Sequence, residues 1–384
     1  MANRNASEVA PKPLVGRRDS CVAATLAVLV LVSQLLFRGP VYFADGPSLV
    51  EAIVDKIYVI QPPGYWLLCR IAGLFPDPGA AIGAMNIFFP VAGVVAFYYT
   101  ARFFAEAWSA FAAGLAYASI FYIWFSGEIH SSYASQILFP VATFYALLRY
   151  DRDRANWTLW AAAALFSLGA GLRPSDGAFV GPMVVYYAFS RMPRWARLPF
   201  FSLIAVLCLG WVVPTILAYR GIDSGPESPG QYVQRIVSVK SILFGVNPYS
   251  LANSARYAIP LLVALWPVLA TAVLNGVKNR DEWRTRLMLL WIVPGSLFFV
   301  LILITDPTYL DFLSAAIVLL AVKAPRRMLA TAVWNAVLFI GMQPIPSHRL
   351  VAEVVNSYIV PYTRYGLEHR DWTPRLSEMV NGGK

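Results

Sequence analysis

The chain is 384 residues long, carries a formal charge of +10, and is 58% apolar, against roughly 45–50% for a soluble globular domain. Charged residues make up only 14% and aromatics another 14%, which leaves too little polar surface to cover a soluble fold of this size. A soluble enzyme is excluded.

A hydrocarbon core about 30 Å thick takes about 20 apolar residues of helix to cross. In chain order, runs without Lys, Arg or Glu cover residues 21–37, 78–101, 107–127, 131–148, 157–172, 177–190, 198–219, 257–277, 287–304, 308–322 (interrupted by Asp311) and 328–347. No ten-residue alternating pattern appears, and each span must satisfy its own backbone in lipid, so these are predicted as helices rather than barrel strands. The expected fold is an all-α polytopic membrane protein of about 11 transmembrane helices.

The basic charge is placed by topology. With the amino terminus inside, 18 of the 31 Lys and Arg fall on the cytoplasmic side, in the first 20 residues and in short turns such as 149–154, 191–197, 278–286 and 323–327. The short outward turns at 126–131 and 305–307 carry none. This is the positive-inside pattern, and it makes nucleic-acid binding unnecessary. The amino-terminal hydrophobic stretch lacks a small-x-small cleavage signal and reads as an uncleaved signal anchor in the plasma (inner) membrane.

The division expected is a cytoplasmic amino terminus (1–20), a transmembrane domain (21–343) with long outer loops at 38–77 and 220–256, and an extracytoplasmic tail (344–384). In the first outer loop Leu49, Ile53, Ile57 and Ile60 recur at helical spacing beside Glu51, Asp55 and Lys56, as in an amphipathic helix lying on a membrane surface. Gln61-Pro62-Pro63-Gly64 breaks that helix, and a short apolar helix resumes over 65–75. Cys21, Cys69 and Cys208 sit among apolar neighbours without disulfide or zinc spacing and are expected in the core. The three histidines are too dispersed for a metal cluster, so no metal is assigned.

With the long segments outside, the candidates for chemistry are the polar residues at the outer ends of the spans. Asp45 lies before a Gly-Pro turn at the end of the first span, where a partly desolvated carboxylate can act as general base toward a hydroxyl or simply form an Asx turn. Arg173 and Asp176, in LFSLGAGLRPSDGAFVGP, fall at the outer boundary between two short spans. Ionisable residues there mark a site, an ion path or a mutual salt bridge, and the guanidinium fork suits phosphate oxygens. Glu128 and His130, in the turn SGEIHSSYASQ, and Asp306, Tyr309 and Asp311, in LITDPTYLDFL, are further polar groups at span ends. For Tyr309, Tyr65 and Trp66, interfacial anchoring is the alternative to packing on a substrate. Asp151-Arg152-Asp153 matches a D-x-D metal motif but lies in an arginine-rich inner turn and reads as topogenic.

Taken in order, an outer-loop Asp, then QPPGYWLL about sixteen residues later, an E-x-x-x-x-Y turn, G-x-G-L-R-P-S-D, and WIVPGSLFF running into DPTYL resemble the GT-C membrane glycosyltransferases. The likeness is greatest to bacterial members akin to protein O-mannosyltransferases and lipid A aminoarabinose transferases, and it covers roughly residues 45–322. The resemblance implies transfer of a sugar from a polyprenyl-phosphate donor to a hydroxyl of a lipid, glycan or protein acceptor on the outer face. It places Asp45 as catalytic base and Arg173 near the lipid phosphate. Many relatives have an acid beside that Asp and a His or Lys before the paired prolines, where this chain has Gly46 and Gln61. Because the leaving group is a phosphate, cations matter more than an acid; Arg70, Lys240 and Arg256 are the further outer-side candidates. Gln61, Tyr65, Trp66, Glu128, His130, Asp176, Asp306 and Tyr309 are expected around the substrates. The competing readings are a lipid or solute transporter or flippase gated by Arg173 and Asp176, and a non-catalytic subunit of an envelope assembly.

Overall fold

The computed structural model describes residues 16–36, 63–128, 132–219, 234, 237–302 and 307–342. Every regular element among them is helical: α1 (Arg17–Leu36), α2 (Pro63–Ala72), α3 (Pro78–Ala101), α4 (Ala107–Ser119), α5 (Phe121–Glu128), α6 (Ser135–Asp153), α7 (Asn156–Leu172), α8 (Pro174–Ser190), α9 (Arg194–Tyr219), α10 (Pro248–Lys278), α11 (Trp283–Leu301), α12 (Asp311–Leu320) and α13 (Pro325–Met342), with 3-10 turns at Ile242–Phe244 and Pro307–Leu310. The expected all-helical membrane fold is what forms, and each of the apolar runs is mainly helix over its described residues. The amphipathic segment at 49–60 and the tail from 344 lie outside the described residues.

Length and hydropathy single out five of these helices as able to cross a membrane (α1, α3, α9, α10 and α11), or six if α4 and α5, which meet at 66°, form one span. The figure of 11 therefore does not follow from span length alone. The remaining helices are shorter or end in charge, and several are wrapped by protein. All residues of α12 from Asp311 to Leu319 are buried, as are 121–127 of α5. A helix shielded all round by others does not have to present a bilayer's thickness of apolar surface. By contrast α9 buries only 11% of its apolar span, and its exposed Leu198, Val206, Leu209 and Leu217 form a surface suited to lipid tails. The same distinction corrects the cysteines. Cys69 is buried, but Cys21 is exposed and Cys208 half-buried, because their apolar neighbours on α1 and α9 face outward rather than into the core.

Alternating helix direction gathers the basic residues at one end of the bundle. There Asp19 of α1 accepts from Arg102 Nε at 2.7 Å and from Tyr98 Oη at 2.7 Å, tying α1 to α3. Asp151 takes Arg191 at 2.8 Å and Arg154 at 3.3 Å, and Asp153 takes Arg149 at 2.7 Å. The carboxylates of the D-x-D sequence are thus already engaged by arginines, in keeping with a topogenic turn.

Removing Arg102 leaves the Asp19 carboxylate, 7% exposed, without its cation. Losing a buried hydrogen bond to a charged group costs about 2 kcal/mol, so Arg102→Ala is expected to lower the unfolding temperature by several degrees in detergent. The Asp19→Ala/Arg102→Ala double variant is expected to recover part of that loss, because the two sites are coupled.

Candidate active site

The end of the bundle opposite these arginine pairs is built around the α7–α8 hairpin. Pro174 cannot continue α7 and pushes the preceding residue to extended backbone, while its fixed φ opens α8. Arg173 accordingly takes φ −146° and ψ 104°, serving both as C-cap of α7 and as N-cap of α8. Its N–H donates to Gly169 O at 2.8 Å, and its carbonyl accepts from Asp176 N–H at 2.9 Å. The hairpin therefore turns on Arg173 and aims its side chain away from both helix axes.

That side chain is 7% exposed. Its guanidinium carbon lies 4.2 Å from the centre of the Tyr133 ring and 4.9 Å from that of Tyr309, and the two rings meet edge to face at 5.1 Å. Nη1 donates to Ser132 Oγ at 2.7 Å, while the Nε–H has no partner among the described residues. No described carboxylate comes within ion-pair distance. Asp176, which the sequence pairs with Arg173 as one alternative, does not form that pair; it is 3% exposed and accepts from Gln136 Nε2 at 2.6 Å. Aromatic faces attract a cation without neutralising it. The arrangement is therefore a buried cation held by aromatic faces and a hydroxyl, without a described carboxylate in ion-pair contact and with one N–H unpartnered among the described residues.

Three separate segments supply this cage. Ser132 and Tyr133 precede α6, Arg173 joins α7 to α8, and Tyr309 sits on the 3-10 turn before α12. Tyr309 also packs edge to face on Phe299 at 5.5 Å, and Phe299 on Phe179 at 5.3 Å, so α11 and α8 back it. Below, Ser126 Oγ donates to buried Asp311 at 2.6 Å and Tyr122 pairs with Ser314 at 2.7 Å, locking α5 to α12. Asp311 is thus held by Ser126 in the interior, while Asp306 of the same sequence cluster lies outside the described residues.

Backbone contact brings the QPPG segment to the same hairpin. A Cβ at Gly64 would lie 2.7 Å from the carbonyl carbon of Gly171, and one at Gly171 would lie 2.6 Å from the Trp211 indole. Only glycine at both positions lets α2 rest on the end of α7 with α9 closing behind. Arg70, on α2, is half-buried nearby in sequence.

The other candidates are placed less centrally or not at all. Lys240 and Arg256 lie near each other at this end, flanking the start of α10; burial, and then the charge of Arg256, push the Lys240 ammonium below the usual lysine range. Neither touches the Arg173 cage. Asp45, Gln61, His130 and Asp306 lie outside the described residues, as do the side chains of Tyr65, Trp66 and Glu128. No group of three His, Cys, Asp or Glu able to hold a metal occurs among the described residues. Ser132, Tyr133 and Gln136 fall within the outer turn SGEIHSSYASQ, and Tyr133 closes the E-x-x-x-x-Y motif, but none of the three is among the site residues expected from sequence, because none carries charge. The helix starts only at Ser135, and the signal available was the run of hydroxyl and amide side chains in SSYASQ.

The family model of dolichyl-phosphate-mannose-protein mannosyltransferases matches residues 61–217, which include Gly64, Ser132, Tyr133, Gln136, Arg173 and Asp176. No curated protein matches the chain. Among solved structures, the crystal structure of ArnT from Cupriavidus metallidurans bound to undecaprenyl phosphate superposes with a TM-score of 0.60 at 16% identity, over 89% of this chain. The fold is of the GT-C type. This chain spans 66% of the length of that ArnT. The GT-C resemblance read from the ordered motifs is thus supported by a family match and by a shared fold, and the family match starts at the first residue of the QPPG motif.

In this GT-C fold, Gly64→Val places a branched side chain against the Gly171 backbone. Overpacking of this kind costs about 1–3 kcal/mol, so the variant is expected to unfold several degrees lower than the parent. An unchanged unfolding temperature would mean that α2 does not rest on α7.

Proposed function

We propose that the chain is a GT-C glycosyltransferase that moves a sugar from a polyprenyl-phosphate carrier to an acceptor hydroxyl on the outer face of the membrane. The observation that carries this reading is the Arg173 guanidinium, buried between Tyr133 and Tyr309 with its Nε–H unpartnered and no described carboxylate in contact. Such a group lacks only an anion. The family match and the fold shared with a protein that binds undecaprenyl phosphate support the choice of a lipid phosphate as that anion.

The chemistry is a direct displacement with inversion at the sugar carbon. The acceptor oxygen forms a bond to the anomeric carbon as the bond from that carbon to the phosphate oxygen breaks; Asp45 takes the acceptor proton, and polyprenyl phosphate departs with its new charge held by Arg173. The guanidinium fork can engage two phosphate oxygens at once, and donors fixed in a dry site stabilise developing charge more strongly than donors in water. The positive-inside charge bias, read with the paired arginines on the cytoplasmic side, supports an outer-face position for Arg173. A polyprenyl tail is apolar and stays in the bilayer, so a site at the membrane boundary, reached sideways between helices, is where such a donor can present its headgroup.

Truncating a buried charged group that holds an ionic partner costs about 2–5 kcal/mol. Arg173→Ala is therefore expected to weaken binding of undecaprenyl phosphate to the purified protein at least tenfold by native mass spectrometry, with Arg173→Lys recovering only part. Wild-type binding by Arg173→Ala would end the proposal.

Asp45→Asn is expected to retain that binding but to release no sugar from undecaprenyl-phosphate-linked donors in proteoliposomes. Full transfer by this variant would remove Asp45 from the mechanism. Movement of the intact donor across the bilayer without cleavage would identify a transporter instead.

A further inference from the structure

A cavity separate from the Arg173 cage runs along α10 from Tyr257 toward the arginine-rich end of the bundle. It is a groove of about 340 Å³ between α10, α11 and α12, lined by Leu261, Val273 and Gly276 of α10, Ile292 of α11 and Ile317 of α12, and it reaches Arg280 just beyond the end of α10. That volume is within the roughly 300–1,000 Å³ of ordinary ligand pockets. Its walls are apolar; the one hydroxyl along it, that of Tyr257, donates to Ser296 Oγ at 2.6 Å.

Gly276 keeps the groove open. A Cβ there would meet Leu289 Cδ2 at 3.4 Å and Leu320 Cδ1 at 3.7 Å, so a larger side chain would project into the space. At the mouth, residues 278–286 carry four cations (Lys278, Arg280, Arg284, Arg286) against two acids. Of the two nearest acids in sequence, Asp281 pairs with Arg286 at 3.4 Å and Glu282 accepts from Thr285 at 3.2 Å. Lys278 and Arg284 flank Arg280 in sequence, and Arg327 at the start of α13 bonds Thr271 of α10.

We propose that this groove holds an acyl chain of an anionic phospholipid whose headgroup phosphate rests on Arg280. An apolar trench opening on a belt of exposed Leu and Val, with an exposed arginine at its end, matches a molecule with a hydrocarbon tail and a single negative head. The bound lipid belongs to the leaflet at the arginine-rich end, so it is distinct from any donor held by Arg173 at the opposite end. It would wedge α10 and α11 against α12, whose other end follows Tyr309 by two residues, and so brace the cage from below. The inference stands on the groove and its charge and does not require the transferase reading.

The test compares purified, delipidated protein supplied with phosphatidylglycerol or with phosphatidylcholine of identical acyl chains, read by native mass spectrometry and by unfolding temperature. Phosphatidylglycerol is expected to be retained more and to raise the unfolding temperature more. A basic residue near a membrane surface contributes about 1 kcal/mol toward an anionic lipid, so Arg280→Gln is expected to reduce retention about fivefold and to equalise the two lipids. Gly276→Leu, and independently Val273→Trp at an exposed position of the same wall, are expected to abolish retention of both lipids. Equal retention of the two lipids by the parent, or an undiminished phosphatidylglycerol preference in Arg280→Gln, would overturn the proposal. So would displacement of phosphatidylglycerol by undecaprenyl phosphate with equal affinity in the parent and Arg280→Gln, which would assign the groove to a carrier's tail.

Discussion

Removing a guanidinium from water carries a penalty of several kcal/mol even after the protein relaxes, and the described end of this bundle is organised around one that bears it. Arg173 is surrounded by two tyrosine faces and one serine hydroxyl, all of which stabilise positive charge without cancelling it. A carboxylate in contact would have been the simpler solution and would have left the site electrically quiet. Asp176, three residues away and equally buried, is turned instead to Gln136. Among the described residues the guanidinium is thus left without a carboxylate in ion-pair contact, in surroundings of low dielectric that strengthen its field.

The surrounding structure follows from holding that charge in place. Pro174 fixes the backbone break that lets one residue cap two helices, and this orients the side chain independently of either helix. Tyr309 has to reach across from a segment more than a hundred residues away, and it does so because Phe299, Phe179 and Phe312 form a packed aromatic layer between α8, α11 and α12. The buried pairs Ser126–Asp311 and Tyr122–Ser314 sit one layer deeper. Polar contacts between helices in an apolar bundle specify register because any slip would leave a polar group unsatisfied. Small residues do the complementary work: Gly64 and Gly171 allow backbones to touch where a side chain would hold the QPPG segment away.

The helices were legible because hydrocarbon sets a length scale and charge punctuates it. The α7–α8 hairpin was legible for a local reason: R-P-S-D contains a helix breaker, a first-turn acid and an arginine in a chain where charge is scarce. Tyr309 was visible as part of a polar interruption, though its partner was not. Ser132 and Tyr133 stand in the outer turn visible in the sequence, Tyr133 as the last residue of the E-x-x-x-x-Y motif, but they carry no charge and only folding shows that they meet Arg173. The cysteines failed for a related reason. In a membrane protein apolar neighbours point outward as often as inward, so local hydrophobicity says that Cys21 is in the bilayer region and nothing about whether it is in the core.

Arginine has opposite roles at the two ends of the bundle, and the difference lies in what is within reach. Arg102 and Arg191 each meet a carboxylate of another helix and Arg149 meets one a turn further along its own helix, so their charge is largely spent on local pairing and on biasing topology. Arg173 meets aromatic rings and a hydroxyl, so its charge remains available. Composition cannot separate these cases, since both contribute equally to the net +10. What separates them is the chain order of carboxylates, which accompany the arginines in DRDR and in RRD but are turned aside in RPSD by a glutamine from a different helix. A cationic residue in a membrane protein is thus better judged by the acids it has been denied than by its own position.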